Sequence, residues 1–257
     1  MKSRLHGLDE IRGFTLISMI LYHLFWDIYY VVGIKMDWYS STFGYVWQQS
    51  ICISFILISG FCFCLGKHHV KRSALIFAAG ILTTAVTLMF TPESKIIFGI
   101  LTFVGSAGFI MILINRIHLR LEKILDKGTL NLTMLIGSVL FFIVCYRINY
   151  RGLFLFYKMI ELPAYMFKGY FATYIGFCDP TFSSADYFSI IPWIFLYMAG
   201  YYLYRLMFIC FDNKRALEQI SQSRFPKIAF LGRHTLIIYL LHQPVLYAVA
   251  MAMNYFR

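Results

Sequence analysis

Long apolar runs alternate with short polar segments along nearly the whole chain. Seven runs approach the ~20 residues that a helix needs to cross a bilayer: Ile11–Ile34, Tyr45–Gly66, Ser73–Phe90, Ile96–Ile114, Leu130–Cys145, Tyr187–Met207 and Ile228–Tyr255. The pattern predicts an all-α integral membrane bundle of about seven transmembrane helices, a single domain over 1–257 with no soluble appendage. The connection Arg147–Asp186 is aromatic and semi-apolar but broken by Lys158, Glu161, Pro163 and Lys168. It is expected to lie in the interface as a short amphipathic helix or to dip into the membrane. An irregular eighth span is the alternative.

Charge sets the direction. Lys2 and Arg4 precede the first run, Lys67, Lys71 and Arg72 follow the second, Arg116, Arg120, Lys123 and Lys127 the fourth, and Lys214, Arg215, Arg224 and Lys227 the sixth. The connections on the other side are poorer in Lys and Arg, so the N-terminus is expected in the cytoplasm. The first run is too long for a signal-peptide core and carries His23 and Asp27, so it reads as an uncleaved span.

Composition agrees. Hydrophobic residues make up 60% and charged residues 14% of the chain, too little charge to cover a water-facing surface. The net charge of +11 lies in the segments between spans, which points to topology and anionic lipid rather than nucleic acid. Six cysteines show no paired spacing, so no metal site is expected. His6, His68, His69 and His118 fall in basic segments and are expected to be solvated, and His234 to lie at an interface.

Ionisable groups within a span are costly and mark function by default. The first span holds four: Asp9, Arg12, His23 and Asp27. At about 100° per residue, His23 returns to within about 20° of Arg12, and Asp9 and Asp27 fall about 60° to one side. All four share a stripe that should face the bundle interior. His23 stands about 16 Å along the helix from Arg12, and Asp27, one turn further, is placed to orient it. The last span carries Gly232-Arg233-His234, Tyr239 and His242-Gln243-Pro244, with a kink or unwinding expected at Pro244. In the second span Ser59-Gly60 suggests close helix packing, or a backbone approach to a ligand.

These residues resemble a known group. Leu8-Asp9-Glu10-Ile11-Arg12-Gly13 with His23, then Ile58-Ser59-Gly60-Phe61, Phe98-Gly99-Ile100-Leu101, Asp186-Tyr187-Phe188 with Pro192-Trp193, and Gly232-Arg233-His234 with Tyr239 and His242-Gln243-Pro244 are similar to the transmembrane acyltransferase superfamily. The likeness is greatest to the bacterial branch of heparan-alpha-glucosaminide N-acetyltransferase-like proteins, related to the acyltransferase family 3 O-acetylases. It implies transfer of an acetyl group from cytoplasmic acetyl-CoA to a sugar or amine of a cell-envelope glycan, in a multi-pass protein of the bacterial inner membrane. Lipids, the glycan or amine acceptor, and a second copy of the chain are the implied partners. His23, Asp27 and His242 would be catalytic. Arg12, Asp9, Arg233 and Ser59 would bind acetyl-CoA, and Tyr239, Gln243 and Thr102 the acceptor. Thr102 stands where the pattern continues with His or Gln, which leaves room for an inactive scaffold of the same fold. A proton-coupled transporter using the His/Asp relay is the alternative from another class.

Overall fold

The computed structural model describes residues 5–155, 158–210, 218 and 220–256. Nine α-helices occur among the described residues: α1 (His6–Tyr30), α2 (Thr42–Phe61), α3 (His69–Phe90), α4 (Ile100–Leu121), α5 (Lys127–Cys145), α6 (Gly169–Ile175), α7 (Trp193–Arg205), α8 (Pro226–Arg233) and α9 (Thr235–Tyr255). Among the described residues seven helical segments are long and apolar enough to span a membrane, α2, α5 and α7 running on through short turns to Leu65, Tyr150 and Cys210, and the protein is a multi-pass all-α membrane bundle. Lys2, Arg4, Lys214 and Arg215 of the charge pattern lie outside the described residues.

Several boundaries differ from expectation. α4 runs on to Leu121, so Arg116 and Arg120 are helical. The last run is two helices, not one: α8 ends at Arg233 and α9 starts after the turn at His234. Pro244 does not unwind the chain, because α9 continues through it to Tyr255. A proline removes one N–H, here the donor to the Leu240 carbonyl, and the bonds on either side suffice. Within the 147–186 connection, strands β1 (Gly152–Leu155) and β2 (Lys158–Glu161) pair antiparallel, followed by the short α6. No helix of spanning length lies among its described residues.

The chain divides into two compact units, Met1–Ile58 with Asn213–Arg257, and Ser59–Asp212. In the first, α8 packs on α1 with backbones in contact. A Cβ on Gly232 would fall 1.7 Å from the Asp9 carbonyl oxygen, and one on Gly13 would fall 2.2 Å from that of Ile228. Only glycine permits this approach. Leu16, Met19 and Ile51 form the core, with Trp47, Phe55, Leu231, Ile238 and Tyr239 packed around them.

In the second unit α3 and α4 meet along small residues. Gly80 lies against Thr102, Gly105 against Phe77 and Gly108 against Ser73. Gly60 abuts the Tyr197 carbonyl, as the Ser59-Gly60 pair suggested. His118 corrects an expectation: it is 2% exposed, not solvated. The extension of α4 carries it into a buried network, where its Nε2 lies 3.2 Å from Glu122 Oε1. Arg205 pairs with Glu122, and its Nε donates to Asn131 Oδ1 at 3.1 Å. Asn131 Nδ2 in turn donates to Glu122 Oε1 at 3.0 Å. Burial alone would push the Glu122 carboxyl up, but these donors outweigh it and hold it below its ordinary value.

Candidate functional site

The polar stripe of α1 is turned inward in the first unit. Asp9 and Asp27 are 4% and 0% exposed, and His23 and Arg12 are part-buried. At the start of the stripe Arg12 donates to Asp9 Oδ1 at 3.3 Å, an i,i+3 pair within the first turns of the helix. The neighbouring carboxylate, Glu10, has a role that the sequence did not disclose. Its Oε1 accepts from Ser223 Oγ at 2.9 Å and from the backbone N–H groups of Arg224 and Phe225, both at 2.7 Å. Glu10 therefore fastens the entry of α8 to α1, with the negative charge at the N-terminal end of α8, where a helix favours it. Glu10 lies inside the Leu8–Gly13 motif, and that was the available signal. Arg233, at the far end of α8, is exposed apart from a bond from its Nε to the Ala229 carbonyl at 3.4 Å.

Further along α1 the helix meets α9. The rings of His23 and His242 are edge to face, with centroids 4.9 Å apart and planes at 61°. One residue on, Gln243 Nε2 donates to Asp27 Oδ1 at 3.1 Å. The structure thus brings together His23, Asp27, His242 and Gln243, but in two couples: imidazole with imidazole, and amide with carboxylate. Asp27 is bonded to Gln243 rather than shown orienting His23. Tyr239, one turn before His242, packs part-buried against the core, and its carbonyl faces His242 Nδ1. Three buried polar atoms in this group have no protein partner: His242 Nε2, Asp27 Oδ2 and Gln243 Oε1. Buried polar atoms are normally satisfied, so these three are free to bond a water or a bound molecule.

A cleft of about 220 Å³ opens between α1 and α2, lined by Phe14, Thr15, Ser18, Ser50, Ile51 and Ser54. Trp47 Nε1 donates to Ser18 Oγ at 2.8 Å along this seam. The cleft lies at a level between Arg12 and His23, but on a flank of α1 turned about 60° or more from the stripe. Beyond the end of α1, burial pushes the Tyr39 phenol above its ordinary value, and it packs on Tyr22 with centroids 5.1 Å apart. Ser59 and Thr102 belong to the second unit. Ser59 is part-buried in α2, and Thr102 is buried in the α3–α4 seam, where Ser106 Oγ donates to its carbonyl at 2.7 Å.

Neither the curated proteins nor the solved structures hold a match to this chain. The family description "heparan-alpha-glucosaminide N-acetyltransferase, catalytic" matches residues 4–244, from before α1 to the residue after Gln243. A match over that span includes both couples, all of α1 and the first half of α9, so the chain belongs to the heparan-alpha-glucosaminide N-acetyltransferase catalytic family, a family of membrane acetyltransferases.

Proposed function

We propose that this protein moves an acetyl group from cytoplasmic acetyl-CoA to an amine or hydroxyl of an envelope glycan on the other side of a bacterial inner membrane. The observation that carries this reading is the His23–His242 pair beside three vacant polar atoms, with an arginine on the same helix stripe. Arg12 stands about 16 Å along α1 from His23, a distance suited to an extended pantetheine arm. Its guanidinium suits a CoA phosphate, and Arg233 is a second cation for the same end. The thioester carbon would then arrive at the imidazoles, where basic nitrogens are needed to take the acceptor's proton.

The test is acetyl-CoA binding by the purified protein in detergent. Saturable binding that weakens at least tenfold in Arg12→Ala supports the reading. His23→Ala should keep the binding and lose transfer. Absence of acetyl-CoA binding in the wild type would favour a carrier. Mass spectrometry of envelope glycans from a deletion strain and its parent would then name the acceptor.

A further inference from the structure

We infer, on the transferase reading above, that the two histidines are not interchangeable and that His242 Nε2 is the atom that takes the acceptor's proton. The argument starts from the backbone. His242 Nδ1 faces the carbonyl oxygen of Tyr239, one turn earlier in α9. A carbonyl only accepts, so Nδ1 carries the hydrogen and donates it. In a neutral imidazole the other nitrogen must then hold a bare lone pair. That nitrogen, Nε2, is buried and has no partner among the described residues. The helix has fixed one tautomer and left its basic atom open.

The next residue fixes the surroundings. Gln243 meets Asp27 Oδ1 at 3.1 Å. A carboxylate accepts only, so the amide nitrogen is the atom that faces it. The amide oxygen Oε1 is therefore free, and so is Asp27 Oδ2. All three vacant atoms are acceptors. An incoming group must bring hydrogens to them, as an amine or a hydroxyl-bearing sugar does and a carboxylate or phosphate does not. A neutral amine brings two hydrogens and a sugar one from each hydroxyl, so with one hydrogen on Nε2 and another on one of the oxygens the attacking atom still keeps a lone pair. The His23 ring lies edge to face with that of His242, with centroids 4.9 Å apart.

The step balances. The acceptor nitrogen or oxygen attacks the thioester carbonyl carbon, and its proton passes to His242 Nε2. The tetrahedral intermediate collapses with cleavage of the C–S bond. The leaving thiolate takes the proton back from Nε2, giving free CoA thiol, the acetylated acceptor and neutral His242.

The tautomer can be read without turnover. Full-length protein labelled with ¹⁵N-histidine in nanodiscs, with His242 assigned by the signal lost in His242→Gln, should show hydrogen on Nδ1 and none on Nε2 near neutral pH. Hydrogen on Nε2 would overturn the inference. In kinetics with acetyl-CoA and glucosamine as probe amine, His242→Gln should slow CoA release by about 100-fold or more, with acetyl-CoA affinity within about twofold of wild type. Added imidazole should restore part of the rate in His242→Gly, whose cavity it fits. Retained acetyl-CoA binding with an undiminished rate in His242→Gln would remove the base alone. Loss of binding in the wild type itself would remove the transferase reading and the base with it.

Discussion

Gln243 Nε2 reaches Asp27 Oδ1 across 3.1 Å, joining α9 to α1 over 216 residues of sequence. The carboxylate is 0% exposed, so the amide replaces water that it would otherwise keep. Gln243→Leu strands that carboxylate, and the loss of a buried partner costs about 1–3 kcal/mol or more for a charged group. Removing both polar groups leaves no member of the couple unsatisfied. The double variant Asp27→Leu with Gln243→Leu should therefore unfold at a higher temperature than Gln243→Leu, though without transferase activity. Thermal unfolding in detergent decides it: a double variant less stable than the single would show that the couple is not what the amide serves.

Gly232, the one glycine of α8 and α9, should not tolerate a larger residue. An alanine Cβ there would sit 1.7 Å from the Asp9 carbonyl oxygen, a backbone atom that cannot swing aside. The helices must part, and overpacking of this kind costs about 1–3 kcal/mol or more. Gly137 in α5 is the control, because nothing lies within 4 Å of its Cβ position. Gly137→Ala should be neutral or stabilise by up to about 1 kcal/mol through helix propensity. Equal thermal shifts for the two variants would contradict the backbone contact.

The contrast between these glycines marks what the sequence disclosed. Spans were legible because lipid demands long apolar helices whatever their neighbours. The stripe of Asp9, Arg12, His23 and Asp27 was legible because helical periodicity alone aligns it. Partners were not. Nothing near Asp27 announces Gln243, and nothing near Glu10 announces Ser223, Arg224 and Phe225. His118 looked solvated because its neighbours in sequence are basic. Its burial follows from Glu122, Asn131 and Arg205, of which Arg205 lies 83 residues from Glu122. Pro244 invited a break that did not come, while the break at His234 has no proline to announce it.

That network yields the largest stability effect. Arg205 is 6% exposed, and Glu122 is its carboxylate partner. Glu122→Ala leaves a buried guanidinium with Asn131 and Tyr201 as neutral partners only. Breaking such a pair costs about 3–5 kcal/mol. The Arg151–Glu161 pair is the counterpart at the surface, with side chains 37% and 77% exposed. Glu161→Ala should change stability by less than about 1 kcal/mol. Thermal midpoints that do not separate the two would remove the claim that Glu122 holds Arg205.

Acid should loosen the connection between α5 and α7. Asp179 accepts from the Gly169 N–H at 2.7 Å, from the Thr181 N–H at 2.9 Å and from the Thr181 hydroxyl at 2.8 Å. These donors, led by Gly169, hold its carboxyl below the ordinary value of 3.8. A carboxyl depressed on folding stabilises the fold above its unfolded value, and that contribution is lost as the pH falls through the folded value. The connection should therefore keep its amide protection at pH 6 and lose it progressively below about pH 4. Asp179→Asn cannot titrate, so the protection of 169–181 in that variant should start lower and lack this acid-dependent component. Hydrogen exchange followed from pH 6 downward, corrected for the intrinsic rate, would show the difference. Parallel profiles for wild type and variant would mean that the carboxylate does not tie α6 to the turn at Thr181.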